Sequence, residues 1–265
     1  MARQGRPRFL GRGLAFHPVR HPGAARGGRD DRRAALDDGQ RRVTGAPPCD
    51  RRSMVWLAIA GLAIAWGLPA IGIGDRLFPG DTISPRIGRE AAWWAFAAII
   101  LLWVTRVERL PLGSIGLKRP TAGTFGWAFA FFVGMMASVM LSFAVIIPAL
   151  RLHQDMATTR SLIAVPLWLQ CATMVRAGVC EEILYRGYPI ERIGWLAGRR
   201  WVGALLSLAA FVAAHIGWGL SQFVVVAFGG VLLTMLYLWK RDLPACMIAH
   251  ALTDLVGFAL ARAHG

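Results

Sequence analysis

Cysteine pairing is absent from this sequence. The four cysteines, Cys49, Cys171, Cys180 and Cys246, show no CxxC spacing, and three of them fall in apolar runs, where a free thiol behaves as a small hydrophobe. Neither a disulfide framework nor a structural zinc ribbon is implied. Charge is scarce as well: Asp, Glu, Lys and Arg make up 17% of the 265 residues, against about 25% in an ordinary soluble domain. Lysine is almost missing, with two residues against 28 arginines, which points to a GC-rich bacterial genome. Residues 1–53 also lack the apolar stretch of a secretory signal.

What the chain does have is hydrophobic residues, 55% of the total, gathered into blocks. The blocks predict an all-α, polytopic transmembrane helix bundle of about seven spans, near 54–73, 90–107, 123–148, 162–188, 200–217, 221–239 and 244–261. Each is long enough, at ~1.5 Å per residue, to cross a hydrocarbon layer of ~30 Å. Several tryptophans near span ends suit the headgroup region. Residues 1–53, rich in Arg, Gly and Pro, read as a disordered tail. Met54, directly after Arg-Arg-Ser, is a candidate true start. Residues 54–161 then form the N-terminal membrane helices and 162–261 the membrane core. No internal repeat is evident.

The net charge of +15 is divided between the tail and the loops that separate the apolar blocks. That is a pattern of membrane topology, so nucleic acid is not the expected partner and the lipid bilayer is. Counting cations in alternate loops places the N-terminus in the cytoplasm and the C-terminus outside, in the cytoplasmic membrane of a bacterium. The sequence assigns no oligomeric state.

Three apolar spans carry ionisable groups. In the fourth, CEEILYRGY holds Glu181, Glu182 and Arg186. Glu182 and Arg186 stand at i and i+4 with the acid first, the favourable order for an ion pair. Glu181, rotated by about 100°, cannot share that partner equally and stays available for chemistry. In the fifth span Phe211 and His215 share one helical face. In the seventh, His250 and Asp254 do the same, and Asp254 needs a partner in hydrocarbon. Apart from Arg176, Arg186 and Arg200 at a span end, spans four to seven hold no further Asp, Glu, His, Lys or Arg, so convergence on one buried site satisfies the buried groups. On helix rise, that site falls between the cytoplasmic half and the midplane. Arg176 has no motif role, and a Glu or a cavity is left to receive it.

E-E-x-x-x-R, F-x-x-x-H and H-x-x-x-N/D, in this order, resemble the CPBP family of CAAX-protease and bacteriocin-processing intramembrane proteases, Rce1-type and lysostaphin-resistance-like. The resemblance implies an intramembrane endopeptidase acting on a membrane-associated protein or peptide. Glu181, Glu182, Arg186, His215, His250 and Asp254 are the implied site. Glu181 would serve as general base toward water, and His250 with Asp254 would stabilise the oxyanion. Zn²⁺ held by His215, His250 and Glu181 is one version, and a metal-free glutamate mechanism is the other. HExxH is absent, which excludes the zincin layout. Asp254 departs from the amide often found at its position. The rival functions are an ion-coupled transporter and a non-catalytic scaffold.

Overall fold

The chain divides into two units, Met1–Pro48 and Cys49–Gly265. The computed structural model describes residues 50–153 and 157–264, all within the second unit. The expected tail lies outside the described residues as far as residue 49. Its last three residues form the first turn of a helix, because the Asp50 carboxylate accepts the backbone N–H groups of Arg52 and Ser53 as an N-cap.

Among the described residues every regular element is helical. α1 (Arg51–Ala70) is followed by the short α2 (Ile73–Leu77) and by α3 (Ile83–Leu102), which runs on through a π turn at Trp103–Val107. α4 (Ala122–Leu141) opens on a capping box between Thr121 and Thr124 and continues to Ala149. α5 (Ala157–Ile163), α6 (Leu167–Arg176), α7 (Tyr188–Leu196), α8 (Arg200–Ala214), α9 (Leu220–Lys240) and α10 (Leu243–His264) complete the bundle.

Among the described residues six helices are long and apolar enough to cross a bilayer, and the bent pair Ala157–Ile163 and Leu167–Leu196 makes a seventh if taken as one broken span. Their packing suits a lipid solvent. Phe129, Met140 and Trp239 are more than half exposed on the outside. Ala58, Ala65, Ala97, Ala128 and Ala249 are buried inside, where small side chains let helix backbones approach. The protein is an integral membrane protein.

The expected fourth span differs most. Instead of one helix over 162–188, the chain turns by 119° between Ile163 and Leu167, where Pro166 lacks an N–H and disfavours helix in the residue before it. The helix then runs unbroken from Leu167 to Leu196. Gly187 does not end it: a Cβ there would lie 2.8 Å from Leu243 Cδ2 and 3.0 Å from the Ile115 carbonyl, so its bare backbone admits two neighbours. Arg186 and Arg192 are therefore both inside the helix and buried. The second span begins at Ile83 rather than near 90, which brings Glu90 well inside it.

Candidate active site

The stretch carrying both glutamates is wound as two successive π turns, Ala177–Glu181 and Ile183–Gly187, joined at Glu182. Each wider turn shifts the helical face, and such turns recur at functional sites. The second one leaves a backbone debt. Tyr188 N–H donates to the Ile183 carbonyl, and Pro189 has no N–H to give Leu184. The Trp66 indole of α1 supplies the missing donor to the Leu184 carbonyl at 3.1 Å. The first π turn touches α10 through Gly178, where a Cβ would lie 2.6 Å from Ala251 Cβ and 2.7 Å from its backbone nitrogen. This close approach sets Glu182 against His250.

Glu182 is fully buried, and its Oε1 accepts from Arg186 Nη1 at 2.9 Å and from His250 Nδ1 at 2.8 Å. Arg186 stacks its guanidinium 3.7 Å above the Phe211 ring. His250, committed to Glu182 through Nδ1, turns Nε2 toward Asp254 Oδ2, 3.5 Å away. On α8, His215 is the helix C-cap and lies within the candidate span, which continues through the next turn to Trp218. Its Nδ1 is 2.8 Å from the Phe211 carbonyl, which can only accept, so Nδ1 carries a proton and Nε2 offers its lone pair in the neutral ring. That Nε2 lies 4.0 Å from Glu181 Oε2.

Arg176, without a motif role in the sequence, donates to Glu181 Oε1 at 2.9 Å and to Glu90 Oε2 of α3 at 2.8 Å. It also faces the Trp93 ring. A Glu does receive it, and Glu181 is thus held at one oxygen rather than free at both. Sequence reasoning left Glu90 out of the site altogether. Its only signal is an isolated acid near the start of an apolar helix.

A cavity of about 150 Å³ is lined by Glu181, His215, His250, Asp254 and Arg176, with apolar walls from Met135, Leu233 and others. Glu182 and Arg186 stand behind that wall. Four of the six residues predicted from the sequence therefore face one space, and two brace it. Among the described residues no three His, Cys, Asp or Glu side chains converge closely enough to hold an ion. His215, His250 and Glu181 do not form a zinc shell in this geometry.

Residues 163–256 match the family model described as type II CAAX prenyl endopeptidase Rce1-like. This segment is similar to that family. The match supports the CPBP resemblance, begins at the break before α6 and ends two residues beyond Asp254, so all six motif residues lie within it. Helices α1 to α4 lie outside it. Neither curated proteins nor solved structures gave a match.

Proposed function

We propose that the chain is an intramembrane endopeptidase that hydrolyses a peptide bond of a membrane-associated protein or peptide with water held between Glu181 and His215. The observation that carries this reading is the 4.0 Å gap between Glu181 Oε2 and His215 Nε2 on the cavity wall. Two hydrogen bonds of ~2.8 Å from one water span that gap. Both partners are acceptors, so the water directs its protons at them and keeps a lone pair for the scissile carbonyl.

Glu181 takes a proton as the water oxygen bonds to the carbonyl carbon. Arg176, fixed on the other carboxylate oxygen, keeps Oε2 aimed at the water. The imidazolium form of His250, anchored by Glu182 and facing Asp254, donates from Nε2 to the oxyanion. Collapse of the tetrahedral intermediate breaks the C–N bond, and Glu181 returns its proton to the departing amine nitrogen. The products are a carboxylic acid and an amine, and the remaining water proton then passes from the acid to the amine to leave a carboxylate and an ammonium.

The test is Glu181→Gln, which keeps shape and hydrogen bonding but removes the base. Membrane N-terminal proteomics of cells carrying the wild-type or variant chain should show neo-N-termini that vanish with the variant, while its yield and thermal unfolding in detergent stay near wild type. A variant that still generates those termini overturns the proposal. Loss of a general base costs roughly 10²–10⁴ in rate.

A further inference from the structure

The candidate catalytic cavity lies toward one end of the bundle. Its lining includes Val139 late in α4, Leu162 of α5, Trp218 in the turn after α8, Val226 early in α9 and Phe258 late in α10. All sit at or toward the end where α4, α8 and α10 finish and where α3, α6 and α9 begin. Arg262 frames this end by donating to the Ile163 and Val165 carbonyls at 2.8 Å, across the break between α5 and α6.

The opposite end is closed by three polar clusters, the one at Glu108 buried and the other two partly exposed through Arg241 and Lys118. Glu108 accepts from Tyr188 at 2.8 Å and pairs with Arg192. Glu191 pairs with Arg241 at 2.8 Å, and Asp242 accepts from Thr124 at 2.9 Å and meets Lys118 at 3.3 Å. Ile115, Tyr237 and Leu243 are fully buried among them. None of these residues lines the cavity.

The closed end also carries more of the loop and helix-end cations, some of them paired with its acids. The start of α1, the α3–α4 connection, the α7–α8 turn and the α9–α10 turn hold ten Lys and Arg residues outside the buried helix interior. The cavity end holds six, and three of those, Arg86, Arg89 and Arg262, donate inward to backbone carbonyls. Lysine and arginine in short loops are retained on the cytoplasmic side.

We propose that the cavity opens on the non-cytoplasmic face of the membrane, so that its substrates are exported polypeptides or the outer juxtamembrane segments of membrane proteins. Cytoplasmic tails do not reach it. The site expected from sequence in the cytoplasmic half to midplane thereby moves to the other side. The substrate class rests on the peptidase reading; the position of the mouth does not.

Cysteine accessibility in the full chain carrying Cys49→Ser and Cys171→Ser tests this without any substrate. Spheroplasts expressing Gly217→Cys, Val226→Cys or Arg119→Cys are treated with a small, charged, membrane-impermeant thiol reagent before and after permeabilisation. Gly217→Cys marks the turn at the mouth, Val226→Cys the cavity wall and Arg119→Cys the basic end. The first two should label fully in sealed spheroplasts, and the third only after permeabilisation. Protection of Gly217→Cys in sealed spheroplasts overturns the proposal, as does a Val226→Cys that stays protected while Gly217→Cys labels. Either result leaves the peptidase reading standing. Conversely, neo-N-termini that survive Glu181→Gln would remove the peptidase reading and leave the labelling pattern untouched.

Discussion

A guanidinium buried within a membrane protein requires neutralisation and hydrogen bonds, and Arg176 obtains both from carboxylates on two helices. Removing it leaves Glu90 and Glu181 facing one another without a counter-charge. Breaking a buried pair from one side costs about 3–5 kcal/mol. Arg176→Ala should therefore lower the thermal unfolding midpoint in detergent markedly, and Arg176→Ala with Glu90→Ala should recover part of the loss, since one orphaned acid is gone. Additive losses in the double variant would show that the two do not act as a pair. The sequence disclosed only part of this arrangement. Glu182 with Arg186, and His250 with Asp254, are legible because helical spacing alone brings i and i+4 together. Glu90 and Arg176 are 86 positions apart, and no local pattern reveals such a contact.

At the scale of the helix, the wide turns at Ala177–Glu181 and Ile183–Gly187 decide which side chains reach the cavity, and they had no residue signature to read. A regular α-helix through 162–188 predicted the Glu182 pair correctly and missed both the break at Pro166 and the extension to Leu196. The break was latent in the proline. The extension was not, because Gly187 serves packing where a glycine more often ends a helix. Gly178 offers the sharpest check. A Cβ at this position meets both the side chain and the backbone of Ala251, so Gly178→Ala must push α6 from α10 and stretch the Glu182–His250 bond. Overpacking of this kind costs about 1–3 kcal/mol. Gly178→Ala should lower both stability and cleavage, and Ala251→Gly should restore only part, because it relieves the 2.6 Å contact and leaves the backbone nitrogen at 2.7 Å. Full rescue, read by thermal unfolding, would show that backbone spacing is not what limits this crossing.

For the molecule as a whole, the Rce1-like segment holds every motif residue but not every part of the site. Glu90 comes from α3, Met135 and Val139 of the cavity wall come from α4, and the Leu184 carbonyl depends on Trp66 of α1. Thr124 of α4 also bonds Asp242 at the entry to α10. In lipid the hydrophobic effect does not drive helices together, so side-chain packing and bonds of this kind must hold the segment in shape. Unsatisfied, the carbonyl alone would cost about 1–3 kcal/mol. A chain reduced to residues 163–256 should consequently lose the cooperative thermal transition of the full protein and run as a polydisperse species on size exclusion in detergent. Co-expression of residues 50–153 as a separate chain should restore both, because the donors and walls that α1 to α4 supply return without a covalent link. A fragment that is monodisperse and unfolds cooperatively by itself would mean that the four preceding helices only decorate a self-sufficient core.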